Sequence, residues 1–474
     1  MCFGFKSKRA SLFVTLLALA GCAFQGASRK KADDIEVNRL ELGVLSGGEG
    51  TVSDTSPLAF SLALRGLPSD LRRGFAVGNA FFNDNWVVAP ASTEGRDGLG
   101  PLFNAQSCSS CHLRDGRGRP PETGERMLSM LVRLSVPGQD QFGAPLPEPS
   151  YGGQLQNRAI PGVQPEGRVE LQWEEYPGVF VDGSSYSLRK PKLGFRDLAY
   201  GDLHPEVQTS PRVAQSVFGL GLVEAIDDSQ IEQHADPMDA DGDGISGRTN
   251  RVWSSSLQRE VLGRFGWKAN VGSLRDQTSG AFLGDIGITS VDLSEQLFSE
   301  AQSQLALVPN GGVPELDEHK LARVVLYLQT LSPPARRHVE QEDVLRGQNL
   351  FFQIGCQKCH TPVFWTGDSH ELEVLNGQRI QPFSDFLLHD MGDGLADGRP
   401  DFLAQSTEWR TAPLWGLGLQ MEVSGHLYLL HDGRARGISE AILWHGGEAQ
   451  SVRDAFLRFS AAQRADLEAF LMSL

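Results

Sequence analysis

At 474 residues the chain is too long for one simple core, and two or three domains are expected. Its formal charge of −16 argues against a nucleic-acid partner and for a partner with a basic face. With 53 glycines and 25 prolines it is loop-rich, and no later apolar run is long enough to span a bilayer.

The N-terminus reads as an export signal over residues 1–21. Lys6, Lys8 and Arg9 are its positive region, and a short apolar run follows from Ser11 to Ala20. Leu19-Ala20-Gly21-Cys22 resembles a bacterial lipobox, so Cys22 is expected to carry lipid on the mature chain. Removing the signal takes away three cations and no acids, which leaves the charge near −19. Residues 22–57 are polar and small and read as a tether.

The next unit is expected over 58–335. Arg73-Gly74 to Phe81-Phe82 is helical in pattern, and a Gly-rich approach leads to Cys108-Ser109-Ser110-Cys111-His112. Residues 138–210 look like an insertion of loops and short strands, such as 169–173 and 186–188. Residues 212–224 and 229–234 are helical in pattern. Asp239, Asp241 and Asp243 before Gly244 reproduce the start of an EF-hand loop, but Asn250 stands where its bidentate glutamate belongs. They are candidate calcium ligands, with an acidic turn as the alternative. An amphipathic helix over 317–331 stops at Ser332-Pro333-Pro334.

The last unit is expected over 336–474. A helix through Val344 to Phe352 leads by Gly355 into Cys356-Gln357-Lys358-Cys359-His360. Ser460 to Gln463 is a capping-box pattern ahead of a final helix. The expected fold is mainly α: two cytochrome c-like haem domains with long loops and a small strand-containing insertion.

Both C-x-x-C-H strings carry the attachment signature of c-type haem. The cysteines form thioethers, and the histidine after them becomes the proximal iron ligand. Zinc half-sites are the bland alternative, but they do not require that histidine. Two covalent haems are therefore expected, on Cys108, Cys111 and His112 and on Cys356, Cys359 and His360. Of six cysteines, Cys2 leaves with the signal, Cys22 takes lipid and four hold haem, so none remains for a disulfide or a thiol nucleophile.

Several stretches resemble the bacterial di-haem oxidoreductase family, also labelled di-haem peroxidase or thiol oxidoreductase. They include 98–104 (GLGPLFN), 239–248 (DADGDGISGR), 263–269 (GRFGWKA), 387–392 (LLHDMG), Glu408-Trp409-Arg410, and His431-Asp432-Gly433-Arg434 leading to Trp444-His445-Gly446-Gly447-Glu448. The family is similar to di-haem cytochrome c peroxidases. In those, the distal ligand of the C-terminal haem lies fourteen residues after the histidine of a His-x-Gly turn. Here that turn is His431-Asp432-Gly433, and the resemblance points to His445. Met391 and His389 compete for this role, and His389 and His431 also read as structural histidines. No histidine lies between His112 and His204, so the first haem is either five-coordinate, bound by Met127 or Met130, or bound by a remote residue. Arg117 and Arg119 are candidates for haem carboxylates or a bound oxygen species. Glu174, Glu175 and Gln154 are candidates for acid–base work, and Trp267 and Trp415 for an electron bridge.

The resemblance implies an oxidoreductase in which His112 holds the reactive haem. The haem on His360 and His445 would relay electrons from a redox protein to a small oxidant such as peroxide. A non-catalytic electron-transfer cytochrome and an oxygen-activating di-haem oxygenase are the rival readings. The expected location is periplasmic or at the cell surface, with lipid as the sole hold on a bacterial membrane, the outer one favoured.

Overall fold

Each C-x-x-C-H string follows a helix that is paired through glycine. Helix α1 (Ser69–Asn83) begins after Pro68, with Asp70 set against the positive end of the helix. It packs on α2 (Glu318–Thr330), where a Cβ on Gly78 would lie 2.0 Å from the Arg323 carbonyl oxygen. The Asp317 carboxylate caps α2 by accepting from the Lys320 N–H, and Leu321, Val324, Tyr327 and Leu328 are buried. The chain turns extended at Leu331, ahead of Ser332 and Pro333. The second pair is α3 (Glu342–Ile354) and α4 (Ala461–Ser473). They touch where a Cβ on Gly347 would stand 1.9 Å from the Asp466 carbonyl oxygen. Ser460 and Gln463 cap α4 reciprocally, as their spacing predicts.

The computed structural model describes residues 42–474, of which Gly43–Leu474 form one contact unit. The expected signal, Cys22 and the expected tether up to residue 41 lie outside the described residues. No helix among the described residues is long and apolar enough to cross a membrane.

The mainly α expectation is corrected by six small antiparallel sheets among the described residues. Met130–Gln139 is the centre of a three-stranded sheet, flanked by Pro145–Leu146 and Gln208–Val213. A long hairpin pairs β1 (Arg168–Val179) with β2 (Ser185–Arg196). The strand Gln208–Val213 also replaces the start of the helix expected over 212–224, which shrinks to Leu220–Glu224. The physical reason lies in size and composition. Four of the sheets are strand pairs of two to five residues, too short to show alternation, and the hairpin carries Pro177, Gly178, Pro191 and Gly194 inside its strands. The helices and the C-x-x-C-H turns are present, but strands and irregular backbone join them.

One apolar core runs from Phe60, Phe82 and Trp86 through Tyr327 to Phe386, Trp415 and Leu419. A second gathers Met127, Met130, Trp267 and Trp409, with Val169, Leu171, Leu193 and Phe195 of the hairpin packed on it.

Candidate active site

The first string forms a one-turn helix, Cys108–Cys111, and His112 ends it. His112 Nδ1 lies 2.6 Å from the Gln215 carbonyl oxygen. A carbonyl only accepts, so Nδ1 carries the hydrogen and Nε2 presents its lone pair. Burial lowers the His112 pKa and keeps the ring neutral. Burial likewise pushes the Cys108 thiol up to about 12, so thiolate chemistry is disfavoured there.

Asp285 lies close enough for its charge to act on Cys108, Cys111 and His112. It sits in a π-turn, Phe282–Ile286, a local irregularity of the kind often found at functional sites. Gln154 Nε2 donates to Asp285 Oδ1 at 2.8 Å and to Asn104 Oδ1 at 2.7 Å. The N–H groups of Asn104 and Ala105 donate to the Asp285 carbonyl. Gln154 is thus in a buried polar cluster with Asp285. Glu174 and Glu175 instead stand exposed on the hairpin, where Glu175 pairs with Arg436. Met127 and Met130 are buried in the second core.

The second string begins where α3 ends at Gly355, whose φ of +97° is the left-handed turn that delivers Cys356. Cys356–Lys358 forms a 3-10 turn, and burial raises the Cys356 thiol to about 12. His360 Nδ1 lies 3.0 Å from the Phe383 carbonyl oxygen. His445 ends the short helix Ile438–Leu443, and its Nδ1 lies 2.7 Å from the Ala441 carbonyl oxygen. Cys356, Cys359, His360 and His445 all line one cavity of about 280 Å³, whose wall is mostly apolar.

His112, His360 and His445 are the three histidines among the described residues whose Nδ1 donates to a main-chain carbonyl. The rivals are differently placed. His389 Nε2 is 2.8 Å from Asp385 and its Nδ1 2.7 Å from Glu448, so both nitrogens are engaged. His431 stacks on Trp409 at 3.6 Å and 7°, and burial holds its pKa down to about 3. Met391 lines the cavity, as do Trp267 and Trp415.

Arg119 is tied to Glu125 by two hydrogen bonds, while Arg117 reaches the cavity wall. In the acidic loop, oxygens of Asp236, Asp239 and Asp241 converge within 4.8 Å, while Asp243 pairs with Lys358 at 3.1 Å. Ser246 of the same segment donates to Glu448, so the loop is fastened to the wall of the second site.

Sequence reasoning missed Asp285, Gln215 and Arg410. Gln215 Oε1 accepts from Arg410 at 2.8 Å, and both residues line the cavity. Arg410 did stand in one of the stretches that carried the family resemblance, and that was its one signal.

Residues 43–474 match a family described as "Di-haem oxidoreductase, putative peroxidase". No curated protein sequence matches the chain. A solved structure of hydrazine synthase from Kuenenia stuttgartiensis, pressurised with xenon, is similar at a TM-score of 0.35 and 14% identity, over 98% of this chain and 100% of that one. A likeness that remote carries no argument about function.

Proposed function

The chain belongs to the di-haem oxidoreductase family, and from that premise we propose that it reduces peroxide, or performs a related oxidation, at a haem on His112 with electrons relayed through a haem on His360 and His445. The observation that carries this reading is the asymmetry of the three carbonyl-tethered histidines. Metal-ligating histidines are commonly oriented by a hydrogen bond from the other ring nitrogen. His360 and His445 line the same cavity, and among the described residues no further histidine tethered in this way is left to accompany His112, which fits one six-coordinate iron and one iron open to an oxidant.

The residues fit haem. Each cysteine pair sits on a single turn with a neutral, half-buried histidine directly after it, and the cavity beside the second pair is mostly apolar. Cys108 and Cys111 would hold one haem by thioether bonds, and Cys356 and Cys359 the other. Each haem, when bound, supplies a one-electron centre, and two of them match the two electrons peroxide accepts. The Gln215 carbonyl fixes the ring of His112, and the Phe383 and Ala441 carbonyls fix His360 and His445. Asp285, whose carboxylate accepts from Gln154, is an acidic group whose charge acts on the first site.

The same reading makes the chain an exported lipoprotein held by Cys22, because the N-terminal pattern and the C-x-x-C-H chemistry both call for export. Its acidic surface suits a redox partner with a basic docking face.

EPR of the resting ferric holoprotein tests the assignment. One high-spin and one low-spin signal are expected, and His445→Ala should convert the low-spin signal to high-spin. Two low-spin signals unchanged by peroxide would identify an electron carrier instead. An unchanged spectrum in His445→Ala would remove His445 as a ligand.

A further inference from the structure

The wall of the 280 Å³ cavity includes Arg117, Arg264, Arg410, His389 and Glu448. Three of these have ionic partners. Arg264 pairs with Asp228, and His389 lies between Asp385 and Glu448. Arg117 and Arg410 have no carboxylate partner among the described residues. Arg410 is buried, and its three hydrogen bonds go to neutral acceptors: the Gly266 and Thr411 carbonyls and Gln215 Oε1. Arg117 donates one N–H to the Leu430 carbonyl and lies 4.9 Å over the Trp267 ring, while its Nε is buried with no partner.

The surroundings do not supply the missing charge. Asp432, the carboxylate whose field acts on Arg117, is already bound by Arg434. Asp385, which acts on Arg410, is bound by His389. The neighbouring buried cluster has Lys268, Arg212 and Arg399 around Asp397 and Asp401, so it too has more cations than carboxylates. Burial lowers both Arg117 and Arg410 to about 10, which leaves them charged at neutral pH. A buried and a half-buried cation in a mostly apolar wall are costly unless anions meet them.

A haem brings two carboxylates, and a guanidinium fork suits a carboxylate. We propose that Arg117 and Arg410 receive the two propionates of the haem attached at Cys356 and Cys359. The proposal rests on the di-haem reading and adds an orientation to it. Arg410 donates to Gln215, whose carbonyl holds His112, and Arg117 follows His112 closely in the chain and lines the same cavity. The carboxylate edge of the second haem is therefore turned toward the first site.

The test uses holoprotein of Arg117→Gln, Arg410→Gln and the matching Lys variants, with haem counted by pyridine haemochrome. Each Gln variant should shift the propionate bending bands in the resonance Raman spectrum. It should also lower the midpoint potential of the low-spin haem, because losing a nearby cation favours the ferric state. Lys should restore most of both. Both haems present with bands and potentials unchanged in the Gln variants would overturn the proposal. If the Gln variants do not fold, infrared spectra of wild type with ¹³C-labelled propionates decide. Carboxylates that stay ionised below the ordinary carboxylic range support the proposal, and ordinary titration overturns it. A wild-type protein without haem at Cys356 and Cys359 would overturn the di-haem reading itself.

Discussion

Glu166 ties its own neighbourhood at Gln156 to the distant segment at Gln302. Its carboxylate accepts from the Gln156 N–H and from Gln302 Nε2, and its own N–H donates to the Gln156 carbonyl. The side chain is buried, and that burial pushes its pKa up to about 8 against the hydrogen bonds that favour the charged form. The unfolded chain titrates near the ordinary glutamate value of about 4.3, so the folded protein holds the extra proton between there and about 8. Stability from this group is therefore full below the unfolded value and lost as pH rises through the folded one, by on the order of a few kcal/mol. Glu166→Gln should flatten that decline, read as denaturation midpoints at mildly acidic and mildly alkaline pH; equal slopes in both proteins would refute it. Residues of this kind leave no local mark in a sequence. His112 and His360 stand out because each closes a C-x-x-C-H pattern of five consecutive positions. Arg410 and Gln215 meet across 195 residues, and nothing near either one announces the contact.

Helices and caps were more legible than strands, for a reason visible in the hairpin. Ser460 caps α4 where its spacing predicts, and Asp317 caps the helix expected from that position, since a cap is a contact within one turn. In β1, alternate residues Val169, Leu171 and Trp173 are half-buried, so the strand reads clearly to that point. Beyond it Glu174, Glu175 and Tyr176 are exposed and the alternation ends, yet pairing continues to Val179 opposite Ser185. The outer half is held by its backbone ladder and by tip contacts: the Val181 N–H donates to the Leu457 carbonyl, and Arg464 pairs with Asp182 and lies over Phe180. A sequence pattern records side-chain burial, not main-chain pairing. The α3–α4 contact makes its own prediction. A methyl on Gly347 has nowhere to go against the Asp466 carbonyl, a backbone atom that cannot rotate aside. Gly347→Ala should cost about 1–3 kcal/mol, seen as a lower melting temperature. Because α3 leads directly into Cys356, haem content should fall with it. A melting temperature equal to wild type would show that the helices can separate freely.

At the scale of the whole molecule, the question is what holds together a chain with six small sheets and short helices. Its apolar core includes residues from both sides of the Ser332-Pro333-Pro334 stretch, and the cavity wall draws on residues from Arg117 to Leu471. The cavity is therefore a shared interior, and what fills it stabilises distant segments at once. A bound haem would bury this mostly apolar wall and so join segments that are distant in sequence. Haem at the second site is thus predicted to be a condition of folding. A protein in which Cys356 and Cys359 are both changed to Ser should lose near-UV circular dichroism across the molecule and become protease-sensitive far from the site, including the α1–α2 pair. Cys108→Ser with Cys111→Ser tests a different region, because those cysteines do not line this cavity, and it should leave a larger share of native signal. If the Cys356 and Cys359 variant instead melts like wild type with one haem remaining, the cavity is not what joins the two halves of the chain.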